Sequence, residues 1–346
     1  MPLEASPLIS EGTIRRIWNM YGLKPIRLLQ PASGYRNQVY PADIDNHGYL
    51  AFIVYKDEPG IVKLIENAND VSDYLSKLSM PVRHCIDPRI IKLSYHRGRR
   101  YVALYNFLPG ETIPWEAYTQ KHIKLLGKTM SDMHYLLGGY GVGSLPKVVD
   151  VSLANVERMK TYFADANVVS AVDNKLLLSV KAKELDRFLT ILVGCSSLPG
   201  QQALHMDFVR GNILFNNESG DELQISGILD FEKVAFGHPV FDIARTLAFL
   251  IVDCKHKTQD QVYKYFLRSG YKKRGAAHYK SVKIKLGEER LDLLEALVNV
   301  FLMYDFYKFL PHIAKNTFTD GFPDIAIITI NPRIAVIFLF LFLLRA

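Results

Sequence analysis

The feature that most constrains this chain lies between residues 203 and 244. The stretch reads Ala203-Leu204-His205-Met206-Asp207-Phe208-Val209-Arg210-Gly211-Asn212-Ile213-Leu214-Phe215. It is a short apolar run, a His-x-Asp-x-x-x-x-Asn loop and a second apolar run. Turn-rich residues 216–222 follow, and a return strand at 223–229 delivers Asp230-Phe231-Glu232. Apolar runs bounded by turn residues form hairpins. The Asp and Asn of the loop and the Asp at the end of the return strand can therefore converge on one point. Mg²⁺, a hard ion, takes one or two carboxylates and fills its octahedron with phosphate oxygens and water. Phosphoryl transfer asks for this set, with one Asp facing the acceptor hydroxyl and an Asn and an Asp holding metal against nucleotide phosphates.

The rest of the chain arranges itself around that segment. At about 150 residues per domain, 346 residues leave room for two. Residues 1–110 read as strand-rich, with strands at 26–31, 38–44, 49–55, 90–95 and 100–107. A helix opens after Pro59-Gly60, and its apolar residues from Ile61 to Leu78 recur at helical spacing. Leu108-Pro109-Gly110 marks a break. Beyond it the pattern is mainly helical, with helices expected at 119–137, 151–165, 173–192, 241–253, 259–269 and 288–310. The expected division is a nucleotide-binding part at 1–107, a helical part at 108–320 with its catalytic loop at 203–232, and an apolar tail at 321–346.

The loop, the Asp230-Phe231-Glu232 return and the following Gly237-His238-Pro239-Val240-Phe241-Asp242-Ile243-Ala244 together resemble the aminoglycoside phosphotransferase and choline kinase superfamily of small-molecule kinases. The resemblance is sharp over 203–250 and extends over about 30–310. It implies an α+β, bilobal protein-kinase-like fold, with a small antiparallel β-sheet N-lobe and a larger, mainly helical C-lobe. Asp207 would be the catalytic base or would orient the acceptor hydroxyl. Asn212 and Asp230 would bind Mg²⁺, and His205 and Asp242 would support the loop. The family pattern Leu-Gly-x-x-Leu-x-x-Leu-His is matched at Leu126–His134, where His134 reads as a packed core residue. Two positions depart from the pattern: Met206 stands where the family often has Gly, and Arg210 where it usually has a neutral residue. Arg210 has two readings, a cation for the transferring phosphate or an anionic substrate, and a solvated surface residue. Glu232, and the lack of an Ala-Pro-Glu motif, disfavour a regulated protein kinase.

The nucleotide half is less sharply drawn. The fold calls for a cation on the strand before the first helix, and Lys56 is the candidate. Its acidic partner is expected on the helix, at Glu66 or Asp70, with Glu66 preferred. Ser33, Gly34 and Asn37 are donors for phosphate or part of an ordinary turn. The resemblance makes Asn106 and Phe107 part of the hinge whose backbone meets the nucleobase.

Charge bears on the substrate. Lys and Arg exceed Asp and Glu by 42 to 35, a net charge of +7. Between residues 255 and 285 many Lys and Arg face Asp260 alone. Such a field repels a polycationic acceptor, so a sugar, amino alcohol or other metabolite is expected in preference to an aminoglycoside, with ATP or GTP as co-substrate. A nucleotide-binding pseudokinase and an aminoglycoside-modifying kinase are the alternatives. No nucleic-acid partner is expected. Three scattered cysteines argue against a disulfide framework and for a cytoplasmic protein. The apolar run 334–344, as a helix of about 16 Å, reaches about half-way across a bilayer core. A buried terminal element is preferred for it over membrane contact.

Overall fold

The computed structural model describes residues 9–33, 37–95, 98–114, 117–141, 143–176, 180–216, 223–254, 256–274 and 291–317. Gly34, the basic residues from 275 to 285 and the apolar tail lie outside the described residues. In chain order the elements begin with α1 (Glu11–Met20), β1 (Pro25–Leu28), β2 (Ala32–Ser33), β3 (Gln38–Ile44), β4 (Gly48–Lys56) and α2 (Ile61–Lys77). Next come β5 (Cys85–Tyr95), β6 (Gly98–Asn106), α3 (Gln120–Leu137), α4 (Val148–Phe163), α5 (Ala166–Leu176), α6 (Ala182–Gly194) and β7 (Gln202–Leu204). The last are β8 (Ile213–Asn216), β9 (Gln224–Ile228), β10 (Ala235–Gly237), α7 (Val240–Asp253), α8 (Gln259–Val262), a π-helix (Tyr263–Lys272) and α9 (Leu291–Thr317).

The chain forms two compact units. The first holds the described residues up to Thr112 together with Gly211–Val234. Its sheet is antiparallel in the order β1-β3-β4-β6-β5, with β2 on β3. A helix covers each face. Ile14, Ile17 and Trp18 of α1 pack with Tyr40, Leu50, Phe52, Val54 and Leu104. Ile61 and Ile65 of α2 pack with Ile53, Tyr55, Ala103 and Tyr105. Burial on both faces explains why β4 reads as a continuous apolar run. The helix α1 lies in a stretch read from sequence as strand-rich. Its signals are the Ser10 cap, whose Oγ accepts from Thr13 N at 3.3 Å, and the buried Ile14, Ile17 and Trp18.

The hairpin β8–β9 belongs to this first unit, whereas the sequence division assigned the whole of 203–232 to the helical part. Main-chain bonds account for the difference. Ile228 N donates to Pro81 O at 2.8 Å, Arg83 N to Ile228 O at 2.9 Å, and Phe215 and Glu111 exchange both of their bonds at 2.9 and 3.0 Å. Gly110 makes the approach feasible: its φ is +109°, and a Cβ there would overlap Ser226 Oγ and the Phe215 carbonyl.

The second unit comprises Ile113–Arg210 and the described residues from Ala235 onward. In α3, Ile123, Leu126, Met130, Met133 and Leu137 are buried, as the helical spacing predicts. Thirteen of the fourteen residues of α7 are buried, and Arg245 on α7 holds Asp305 on α9 in a bidentate pair, both bonds 2.8 Å. The expected helix 173–192 is two helices, because Lys181, with φ −86° and ψ 131°, is extended ahead of α6. The expected helix 259–269 is a capped turn followed by the π-helix. That segment lies so close to α3 that a Cβ on Gly127 would overlap the Phe266 carbonyl. Among the described residues no helix is long and apolar enough to cross a membrane.

Candidate active site

In the second unit the site is built on β7, whose chain runs directly into His205, Met206 and Asp207. The strand pairs with β10, so Leu204 opposes Ala235, and β10 leads into the start of α7 that carries Asp242. The Asp242 carboxylate is fully buried. It accepts from His205 N at 2.8 Å, from Met206 N at 2.7 Å and from His134 Nε2 at 3.0 Å. Burial pushes its pKa up, but the hydrogen bond from His134 Nε2–H and the backbone N–H of His205 outweigh this and hold the carboxyl below its ordinary range. With Nε2–H pointed at the carboxylate, His134 Nδ1 accepts from Tyr271 OH at 2.8 Å. Asp207 N donates to His205 Nδ1 at 3.1 Å, and Val209 N to Asp207 O at 2.8 Å. A buried polar chain thus runs from Tyr271 on the π-helix, through α3 and α7, to the backbone that presents Asp207.

That backbone is strained. Met206 has φ +60°, the left-handed region in which glycine is free of steric cost. The departure Met206 therefore occupies a position whose geometry explains the family's glycine. Arg210 is not a free cation: its Nε lies 3.6 Å from Asp253 Oδ2, and Asp253 is largely buried.

In the first unit the hairpin sets the second group. Ile213 pairs with Ile228, and Leu229 N donates to Asn212 O at 2.8 Å, so Asn212 stands beside the residue that precedes Asp230. Asp230 has φ +59°, and among the described residues its carboxylate makes no hydrogen bond or ion pair. Strain of this kind collects at functional positions. Two hard oxygen donors from one hairpin, one of them an unengaged carboxylate, fit Mg²⁺, which leaves most of its coordination to phosphate and water. Among the described residues there is no cluster of three His, Cys, Asp or Glu that would suit a different metal. Glu232, two residues on, accepts from Asn37 Nδ2 at 2.8 Å, so Asn37 is tied to this turn.

The structure does not bring together the expected nucleotide cation and its acid. Along β4, Leu50, Phe52 and Val54 face α1, whereas Ile53 and Tyr55 face α2. Strand alternation puts Lys56 with the first set, on the face away from α2, and it is exposed. Glu66 on α2 lies 3.7 Å from Lys63 instead. Lys56 and Glu66 therefore stand on opposite sides of the sheet, which strand alternation decides and spacing along the chain does not. At the hinge, Asn106 N donates to His84 O at 3.2 Å and Phe107 N to Tyr49 O at 3.3 Å, so both of these N–H groups are committed within the unit. Ser33 is in β2, paired with Gln38. Sequence reasoning passed over Tyr271, Tyr55 and Tyr105, because isolated tyrosines in apolar runs carry no signal beyond core packing.

An antiparallel sheet unit whose β8–β9 hairpin carries Asn212 and Asp230 at its ends, and a mainly helical unit presenting an anchored Asp207, are the parts of a protein-kinase-like small-molecule kinase. Residues 27–276 match the model of the phosphotransferase enzyme family, APH. The chain belongs to that family and is a phosphotransferase with an alcohol group as acceptor. Solved structures with the same fold include amicoumacin kinase hAmiN in complex with AMP-PNP, Ca²⁺ and Ami. It is 13% identical with a TM-score of 0.66, covering 95% of this chain and 93% of that one. Another is a microcompartment-associated aminopropanol kinase, 15% identical with a TM-score of 0.58 over 85% and 87% of the two chains. A third is a thermostable mutant of aminoglycoside phosphotransferase APH(4)-Ia in a ternary complex with AMP-PNP and hygromycin B, 14% identical with a TM-score of 0.58 over 95% and 98%. Among curated proteins, no sequence matches the chain.

Proposed function

We propose that this phosphotransferase moves the γ-phosphate of ATP or GTP, with Mg²⁺, to a hydroxyl of a small molecule such as a sugar, an amino alcohol or another metabolite. Asp207 orients and deprotonates the acceptor hydroxyl, and Asn212 and Asp230 hold the metal. When bound, Mg²⁺ neutralises charge on the phosphates. The observation that carries the reading is the anchoring of the Asp207 loop. Two successive backbone N–H groups are held by one buried carboxylate, the preorganisation that a positioned general base requires. Support for the co-substrate comes from the AMP-PNP complexes among the similar structures. The basic described residues Lys264, Arg268, Lys272 and Lys273 favour an acceptor that is not polycationic.

A second reading, a nucleotide-binding regulator without transfer, is favoured by the separation of Lys56 from Glu66. One experiment divides the two. The purified protein is given Mg-ATP or Mg-GTP and a library of hydroxyl metabolites, and nucleotide turnover is compared with that of Asp207→Ala. Loss of a general base lowers the rate by about 10²–10⁴-fold. An unchanged rate in the variant overturns the role of Asp207. Nucleotide binding without turnover on any acceptor supports the regulator.

A further inference from the structure

We propose that Arg83, and not Lys56, supplies the cation that meets the phosphates of the nucleotide in the sheet unit. The proposal rests on the nucleotide-dependent reading above and goes beyond it by assigning the anion-binding side chain.

Ile53 and Tyr55 are the β4 residues on the α2 side, and neither carries charge. Tyr55 OH and Tyr105 OH lie 2.8 Å apart, and both side chains are buried. Burial pushes both phenols above their ordinary range; Tyr105 and Glu232 add to this for Tyr55, and Arg83 opposes it for both. The two hydroxyls therefore stay protonated and neutral at any physiological pH. They cannot hold an anion by charge, and a phosphate bound on this face needs a cation from another element.

Arg83 is that cation. Its guanidinium carbon lies 5.7 Å from the centroid of the Tyr105 ring, within the range of a cation–π contact. Its backbone is pinned, because Arg83 N donates to Ile228 O at 2.9 Å and Val82 forms a parallel bridge with Ile228. Ile228 is the last residue of β9 and lies two residues before Asp230, so the backbone of Arg83 is tied close in sequence to the candidate metal ligand. The other cations have different positions or partners. Lys56 is on the opposite face, and Lys63 is paired with Glu66. Arg83 is half-buried, and among the described residues it has no ion pair and no side-chain hydrogen bond. A partly desolvated guanidinium with its donor fork unengaged suits phosphate oxygens, which it binds in bidentate geometry.

The test uses the full chain and measures two ligands at equilibrium: the Mg complex of a non-hydrolysable nucleoside triphosphate, and the corresponding nucleoside, which lacks phosphate. Arg83→Gln is expected to weaken triphosphate binding about 10- to 100-fold, the scale of one charge-assisted contact. It should leave nucleoside binding within about twofold and flatten the salt dependence of triphosphate binding. Arg83→Lys keeps the charge without the fork, so it should fall between wild type and Arg83→Gln. Lys56→Gln should stay within about twofold of wild type for both ligands. Should Arg83→Gln fail to fold, as judged by its thermal transition, Arg83→Lys decides: unchanged triphosphate affinity overturns the proposal. It is also overturned if Lys56→Gln loses the affinity, or if Arg83→Gln weakens nucleoside and triphosphate equally. If wild-type protein binds neither nucleotide with Mg²⁺, the underlying reading falls as well. If wild type binds nucleotide and only the Arg83 arms fail, the nucleotide reading stands and this assignment does not.

Discussion

Replacing Asp242 by Asn isolates the contribution of one buried carboxylate to the site. In the native protein its two oxygens accept three hydrogen bonds, from His205 N, Met206 N and His134 Nε2, with Oδ2 taking two of them. Bonds to a charged acceptor are worth about 1.5–3 kcal/mol each and neutral ones about 0.5–1.5 kcal/mol. In Asp242→Asn the amide oxygen keeps the Met206 N–H at neutral strength. The amide nitrogen then faces the His205 N–H, donor against donor. Leaving that N–H unpaired in a fully buried position costs about 1–3 kcal/mol. Weakened bonds and the orphaned donor together predict a loss of about 3–6 kcal/mol, a large part of the 5–15 kcal/mol typical of a folded domain. Urea denaturation of both proteins at pH 7 measures it. A loss below about 1 kcal/mol with an unchanged m-value would refute the reasoning.

The same variant carries a signature in pH. The folded Asp242 carboxyl titrates below its ordinary value, whereas in the unfolded chain it titrates near 3.9, the usual value of about 4 for Asp. A depressed folded pKa stabilises the native state above the unfolded value, and that stability is lost as pH falls through the folded one. Asn has no such titration. The stability gap between the two proteins should therefore be full at neutral pH and shrink only on acidification below about pH 4.

Three further outcomes follow from the packing. Arg245→Met leaves the Asp305 carboxylate buried without its bidentate partner and should cost about 3–5 kcal/mol in urea denaturation, most of it recovered when Asp305→Leu is added. Tyr271→Phe removes the donor to His134 Nδ1 and should cost about 1–3 kcal/mol; once an acceptor is known, kcat should fall with little change in the KM for nucleotide. Gly127→Ala pushes a methyl into the Phe266 carbonyl of the π-helix and should lower the thermal midpoint through a loss of about 1–3 kcal/mol, as an overpacked contact does.

The chain announces part of this protein by itself. The grouping of His205, Asp207 and Asp242, and of Asn212 with Asp230, is legible because it depends on spacing along one continuous stretch, and a loop, a hairpin and a helix start convert that spacing directly into geometry. Helices such as α3 and α7 are equally legible, because amphipathic periodicity is a local property. Met206 is legible only as an anomaly, and its φ of +60° supplies the reason. What the sequence left undetermined depends on which face a residue takes and on what crosses from another element. Lys56 stands on the face of β4 away from α2, since one step along a strand reverses the side on which a residue sits. Arg83 is seventeen residues beyond Glu66 and Glu66's partner is Lys63, so neither fact follows from local pattern. The hairpin β8–β9 joins the sheet unit through main-chain bonds to Pro81, Arg83 and Glu111, and backbone hydrogen bonds of that range carry no residue-type code. Tyr271 reaches His134 across 137 positions, on a π-helix whose closeness to α3 is permitted by Gly127. Local propensity and spacing wrote the loop that presents Asp207; only the tertiary structure, through strand facing and long-range pairing, decided what braces it and on which face of the sheet each cation stands.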